Sequence, residues 1–441
     1  MVPEDGLEPS WFAPMDFESI ASTNSTTRAT LKYSTIPFLI MQALKYNNAM
    51  TITIPNAVQA LLDLLNENNY LAYLVGGCLR DALLGIELHD YDITTDATPT
   101  QMKEIFKNEK WFATGEKHGT LTILKDNLPI EITTFRSEGD YSDHRHPDKV
   151  TFVRNLKEDL SRRDFTINAL AYNPREGLID LFNGQKDLED HLIRCIGKPE
   201  ERFQEDALRI LRGLRFSAQL GFTIEQETKQ AMLDLKGLLK YLSIERIREE
   251  IFRLLVGKQA QRVILEEEEI LKVVLPEVNF KQKTELDKLP KEALLRFAYL
   301  IEELPKETVR RITYRFKLSN EQRDSLHDIT DLFKESLPRN KYELKVWLKG
   351  TSEKNVQGVF LLKGLNTSIS KVEELYHEIM NNKEIYRLKD LAVDGKDLLK
   401  LGYEGPQIGE ELNKILEAVM REKLNNDKKS IYQFLGKEPS C

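Results

Sequence analysis

The chain has little cysteine, little histidine, no long apolar run and no surplus of positive charge. Three cysteines, Cys78, Cys195 and Cys441, stand among 441 residues. None has metal-ligand spacing, so neither a thiolate metal cluster nor a disulfide framework is expected, and reduced thiols in a cytoplasmic compartment are. Seven histidines leave little material for a histidine–aspartate phosphohydrolase centre. Beyond the Asp90-Tyr91-Asp92 motif, which His89 precedes, His327-Asp328 is the only such pair, only His377 lies after it, and His327 reads as an ordinary helix residue. No apolar run approaches about 18 residues, so no spanning helix is expected. Ile36 to Leu44 is apolar, but it is short, contains Pro37 and lacks signal-peptide flanks. A net charge of −8 argues against an unspecific nucleic-acid coat, though a local basic groove remains open. With 41% hydrophobic and 30% charged residues, the chain has room for about two to four ordinary domains.

Residues 1–49 differ from the rest. They are rich in Ser, Thr, Asn and Pro and show no sustained periodicity, so a disordered or spurious extension is expected, with Met50 as the working start. From Ala57 to Asn66 apolar residues recur at helical spacing. Tyr73-Leu74-Val75 predicts a buried strand, Gly76-Gly77 a turn, and Leu79 to Leu84 the start of a helix. Tyr91 to Thr94 predicts another strand. Thr98-Pro99-Thr100 predicts a capped helix through Phe106. Thr120 to Leu124 and Ile130 to Phe135 alternate as paired strands. After about residue 186 nearly every segment reads as helix, giving a mixed α/β head before a helical remainder.

Three short motifs carry the chemistry. Asp90-Tyr91-Asp92 follows Gly76-Gly77-Cys78-Leu79-Arg80. On a strand, residues two apart face the same side. Two carboxylates so close repel unless a cation lies between them. Hard oxygen ligands beside a phosphate substrate point to Mg²⁺. Two ions would activate an attacking 3′-hydroxyl and stabilise leaving pyrophosphate. Gly76 and Gly77 permit close backbone approach, a helix N-terminus favours phosphate, and Arg80 can add a bidentate contact. Glu131, on a later strand, is the candidate third metal carboxylate. In Arg162-Arg163-Asp164, Arg163 offers a donor fork to phosphate and Asp164 can accept from a 2′-hydroxyl. Asn168 would share a face with Asp164 if the segment is helical.

The third motif is Glu205-Asp206-Ala207-Leu208-Arg209. Asp206 and Arg209, three apart, neighbour on one face of a helix. A carboxylate accepts and a guanidinium donates. Cytosine presents its N4 amine beside N3, and adenine its N6 amine beside N1, so both suit this pair. Uracil and guanine would set a carbonyl against Asp206, and a site built this way rejects them strongly. Arg212 and Arg215 continue the face and can hold Glu205 and Asp206 or reach phosphate. Each motif alone also has a plain reading: a solvated turn, an exposed strand glutamate, a salt-bridged helix start, a surface ion pair. Their order in one chain favours a site for a nucleoside triphosphate.

With these residues the sequence resembles the class II tRNA nucleotidyltransferases, the bacterial-type CCA-adding enzymes of the polymerase-beta-like superfamily, from about Pro55 to the C-terminus. Glu138 to Asp159, with Tyr141, Asp143, Arg145 and Pro147, is similar to the family's flexible loop, which helps switch its pocket from CTP to ATP. Asp180-Leu181-Phe182-Asn183-Gly184 is similar to its hinge motif, and Ile244 to Leu254 to the neck helix that supports the pocket. Asp394-Gly395, Asp397-Leu398 and Gly405-Pro406 with Gly409 are similar to its tail module. The resemblance implies an α+β nucleotidyltransferase head, a mixed sheet with flanking helices (50–190), then an all-helical neck (191–260), body (261–340) and tail (341–441). It implies two Mg²⁺ ions on Asp90 and Asp92, phosphate contacts from Gly77 and Arg80, triphosphate and ribose contacts from Arg163 and Asp164, and base reading by Asp206 and Arg209, with Arg212 and Arg215 completing the pocket. The expected substrates are CTP, ATP and tRNA, held by acceptor stem and elbow, with no membrane and no DNA partner. Residues 1–49 also resemble the peptide obtained when a tRNA gene is conceptually translated.

The nearest alternatives are a poly(A) polymerase of the same superfamily and an enzyme adding only A. The polymerases usually carry a Gly-Arg-Arg-Phe stretch, where this chain has Gly115-Glu116-Lys117-His118. Candidate basic contacts for RNA are Arg310, Arg311, Arg315 and Lys317.

Overall fold

The computed structural model describes residues 52–88, 90–138 and 150–437. The extension 1–49 and loop residues Tyr141, Asp143, Arg145 and Pro147 lie outside the described residues. The fold begins with helix α1 (Asn56–Glu67), whose Ala57, Val58, Leu61, Leu62 and Leu65 are buried at helical spacing. Strand β1 (Ala72–Val75) is buried along its length. It turns at Gly76, whose φ of 83° favours glycine, into the short helix α2 (Gly77–Leu83). Strand β2 (Tyr91–Thr95) returns, and a Thr98–Gln101 capping box opens α3 (Pro99–Ile105).

Strands β3 (Lys110–Gly115), β4 (Thr120–Lys125), β5 (Leu128–Thr134), β8 (Leu170–Asn173) and β9 (Gly177–Asp180) complete a seven-stranded sheet in the order β3-β4-β5-β2-β1-β8-β9. Only β2 and β5 run parallel; the other neighbours are antiparallel. The β2–β5 register sets Asp92 opposite Glu131. A separate ribbon pairs β6 (Arg136–Glu138) with β7 (Val150–Phe152) and leads to helix α4 (Leu156–Ser161). The expected mixed sheet with flanking helices is present. Strands β3, β8 and β9 went unforeseen.

Past β9, the Asp180 carboxylate accepts from the amides of Phe182, Gly184 and Gln185 and closes a turn into α5 (Gly184–Glu189). Gly184 is required there, because a Cβ would lie 2.3 Å from the Thr166 carbonyl oxygen. The remainder is helical except for one correction: β10 (Leu192–Ile193) and β11 (Thr223–Ile224) form a two-residue parallel pair. Helices α6 (Pro199–Glu205), α7 (Leu208–Leu220), α8 (Gln226–Leu235) and α9 (Ile244–Leu255) follow, with α9 packed on α7. One apolar core runs from Ile52 to Tyr386, while Val393, Leu398, Ile415, Val419 and Ile431 form their own cluster. Among the described residues no helix is long and apolar enough to cross a membrane. His327 is half-buried, and its Nε2 lies 3.0 Å from the Thr313 hydroxyl, as suits a packed helix residue.

Candidate active site

A cleft of about 660 Å³ opens where the β1–α2 turn, the segment after α4 and helices α7 and α9 meet. Eight arginines and three aspartates line it. That surplus of cationic donors suits a polyanion.

One end is built by the sheet. Asp92 is on β2, an exposed residue that faces the cleft and whose carboxyl is crowded by neighbouring protein. This crowding strips water from the carboxyl and, against the pull of Arg163 and with the push of Glu131 and Asp90, raises it to about 6. Gly76 keeps the turn low. A Cβ there would approach Arg163 Nη1 to 3.2 Å and Asp92 Oδ2 to 3.5 Å. Arg163 therefore stands between the glycine turn and the aspartate, and its Nε is buried without a partner. Arg80 is more committed than expected. Its Nε and Nη2 clasp Asp81 at 2.8 and 2.9 Å, and its Nη1 donates to Asn168 Oδ1 at 2.7 Å.

The three candidate metal carboxylates come from different places, with Asp92 and Glu131 opposite each other in the β2–β5 register. Asp90 precedes β2 instead of lying on it, so strand alternation does not align it with Asp92. Glu131 is on the neighbouring strand and exposed. Among the described residues no three His, Cys, Asp or Glu side chains are grouped closely enough to hold a metal.

The other end is densely paired. Asp164 is 6% exposed. It accepts from its neighbour Phe165 N at 2.8 Å, Asn168 Nδ2 at 3.0 Å and Arg212 Nε at 2.7 Å. Burial alone would raise its pKa, but these donors outweigh it and hold the carboxyl well below the usual carboxylate range. The carboxylate expected to meet a ribose hydroxyl is thus already held by three protein donors. Asn168 meets Asp164 from a 3₁₀ turn, Thr166–Asn168, in place of the expected helix. Arg80, Arg212 and Arg215 surround the Phe216 ring, their guanidinium carbons 5.0, 5.4 and 4.1 Å from its centroid. Arg215 also donates to Glu250 on α9 at 2.6 Å.

The base-reading pair does not share one helix. Helix α6 ends at Glu205, Asp206 is extended with φ −137° and ψ 102°, and α7 starts at Leu208. The Asp206 side chain explains the break: its Oδ1 accepts from the Leu208 amide at 3.0 Å, the local bond that makes Asp a helix interrupter. Its Oδ2 accepts from Arg246 Nη2 at 2.8 Å. Arg209 donates to Glu205 at 2.6 Å and to the carbonyls of Arg202 and Arg162 at 3.0 and 2.8 Å. Glu205 also pairs with Arg202. Asp206 and Arg209 still converge on the cleft, but from either side of a break.

Residues 72–194 match the model of the Poly A polymerase head domain. A CCA-adding enzyme from Lactobacillus johnsonii is 40% identical over 416 residues, covering 89% of this chain and 99% of the relative. The chain belongs to the CCA-adding enzyme family. A second relative of that name, from Listeria monocytogenes, is 36% identical and covers 85% of this chain and 96% of its own. The crystal structure of the Bacillus stearothermophilus CCA-adding enzyme in complex with CTP superposes with a TM-score of 0.75 at 29% identity, over 87% of this chain and 98% of that one. The enzyme is therefore a bacterial-type nucleotidyltransferase of class II.

Of the residues expected in the site, Gly76, Gly77, Arg80, Asp92, Arg163, Asp164, Asn168, Asp206, Arg209, Arg212 and Arg215 line one cleft, whereas Asp90, Glu131 and Glu205 do not. Of the residues that line the cleft, sequence reasoning missed His118, Arg136, Leu208, Phe216 and Arg246. Phe216 sits one residue past Arg215 at an aromatic position that reads as core. Arg246 lies on α9, 40 residues from its partner Asp206, and no local spacing links them. The candidate RNA-facing cations are largely paired on the surface: Arg315 clasps Glu277 at 2.8 and 2.9 Å, and Lys317 meets Glu245 at 2.6 Å.

Proposed function

We propose that this cleft adds C, C and A to the 3′ end of tRNA from CTP and ATP, releasing pyrophosphate at each step. The observation that carries the reading is the convergence of Asp92, the glycine turn and Arg163 at one end of a cleft whose other end holds Asp206 and Arg209. The 3′-hydroxyl oxygen attacks the α-phosphorus, the new O–P bond forms, and the bond to the β-phosphate oxygen breaks. Arg163, with Arg162 beside it, binds the triphosphate. Asp164 keeps Arg212 and Asn168 in place. Asp206 accepts from the base amine while Arg209 donates to the adjacent ring nitrogen, a pattern shared by cytosine and adenine.

The donor set fits Mg²⁺. Asp92 is an oxygen ligand with a raised carboxyl among like charges, Asp90 is close enough to contribute to that shift, and phosphate oxygens and water complete such spheres. Two bound ions would acidify the attacking hydroxyl and neutralise the leaving pyrophosphate. We assign residues 50–190 to the head, 191–260 to the neck, 261–340 to the body and 341–441 to the tail that meets the tRNA elbow, working in the cytoplasm.

The test is incorporation into a tRNA transcript ending at its discriminator base, with Mg²⁺ and CTP alone, ATP alone, or both. Two additions with CTP and three with both are expected. A addition only to a tRNA already ending in CC would make it an A-adder. A long A tail on unrelated RNA would place it among the polymerases.

A further inference from the structure

Asp159, on α4, lies outside the cleft and is fully buried, at 0% exposure. Its two oxygens collect donors from three separate parts of the head. Arg162 Nε and Nη2 reach Oδ1 at 3.0 and 2.8 Å, and the Arg136 amide reaches the same oxygen at 3.2 Å. The Thr94 hydroxyl donates to Oδ2 at 3.1 Å, and Arg163 Nη2 lies 3.5 Å from it. Thr94 is two residues beyond Asp92 on β2, and Arg136 begins the β6–β7 ribbon. Burial would raise the pKa of this carboxyl, yet Arg162 and Arg163 hold it below the usual range.

We propose that Asp159 is a positioning residue for the triphosphate, acting through Arg162 and Arg163. Both arginines line the cleft, and both are tethered from behind by this one carboxylate. Arg163 is then fixed with its Nη1 beside the Gly76 turn and Asp92. The anchor also ties the arginines to the strand that carries Asp92, so phosphate donors and the metal-binding carboxylate keep one spacing. An untethered arginine would be drawn toward Asp92 itself and would lose its preset geometry. The inference rests on the reading of Arg163 as a phosphate contact.

Because the triphosphate is common to both substrates, the effect must ignore the base. Asp159→Asn is expected to raise KM for CTP and for ATP by the same factor, about tenfold. It should weaken product inhibition by inorganic pyrophosphate by that factor too, with kcat changed much less and with C over U selectivity intact. A general loosening of the fold would lower kcat and selectivity together. If Asp159→Asn does not fold, Asp159→Glu keeps the charge, displaces the carboxylate by one methylene and carries the same test. Unchanged KM and pyrophosphate inhibition in a folded variant would overturn the proposal. Arg163→Ala separates the two readings. If it raises KM while Asp159→Asn does not, only the tether fails; if it leaves KM untouched, the phosphate role of Arg163 fails as well.

Discussion

The two ends of the cleft are built on opposite electrostatic plans. At the sheet end, Asp92 is open to the cleft and carries a carboxyl raised to about 6, and Arg163 keeps a buried Nε without a partner. At the helical end, Asp164, Arg209, Arg212 and Arg215 each have hydrogen-bonded partners within the protein; one donor, Arg246 Nη1, is left over. The contrast follows the chemistry. A centre that binds cations and a changing set of phosphates is completed by its substrates, so Asp92 and the Arg163 Nε are poorly satisfied without them. Arg80 is nonetheless held by Asp81 and Asn168, and Arg163 Nη2 by Asp159. A surface that must tell an amine from a carbonyl works only if its donors and acceptors hold still, so they are locked by neighbours beforehand.

The strongest way to break this comparison is Asp92→Ala. It should reduce nucleotide incorporation by about a thousandfold or more and leave tRNA binding nearly intact, as read by filter binding beside a gel assay. Retained activity would remove the metal role from the sheet end. Next comes the joint change Asp206→Ala with Arg209→Ala. Discrimination against UTP and GTP should fall by about a hundredfold, measured as ratios of kcat/KM. If C and A selectivity survives, the base edge is read by other groups. Asp164→Ala probes the locking itself. It leaves Arg212 and Asn168 without their shared acceptor and should destabilise the protein by about 3 kcal/mol in denaturant titration; a loss well under 1 kcal/mol would show the network to be ornamental to stability.

The smallest effect sharpens the sheet end. The folded pKa of Asp92, about 6, exceeds its ordinary 3.8, so the fold favours the protonated form. Stability from this residue is fully present below the ordinary value and is lost as pH rises through about 6. Asp92→Asn should therefore raise the melting temperature of the metal-free protein at pH 8 and leave it unchanged near pH 4. A gain independent of pH would mean that packing, not charge, sets the difference. By the same competition, Mg²⁺ affinity should fall as pH drops through about 6.

Much of the site was legible because its motifs are local. Gly76-Gly77 between a strand and a helix, Asp92 on its strand, and Arg209, Arg212 and Arg215 at helical spacing each follow from a few neighbouring residues. The helix cap at Thr98, with Pro99 after it, was readable for the same reason. Errors arose wherever a side chain had a nearer competitor. Asp206 bonded the Leu208 amide and ended the helix it was expected to share with Arg209. Asp164 is paired with Arg212, 48 residues away, a partner that its own motif does not reveal. Strands β8 and β9 were missed because they are only four residues each and are placed by the sheet, β8 beside β1 and β9 beside β8.

By itself the sequence determined which chemistry is available: carboxylates beside a glycine turn, an arginine fork, and an acceptor and a donor for one base edge. Periodicity and spacing act over a few residues, and so do those motifs. The tertiary structure alone decided which charges are free to act. The charged partners of Asp164, Asp206 and Arg215, and the Thr94 and Arg136 donors to Asp159, come from distant segments, and only burial makes those pairings strong enough to set a geometry.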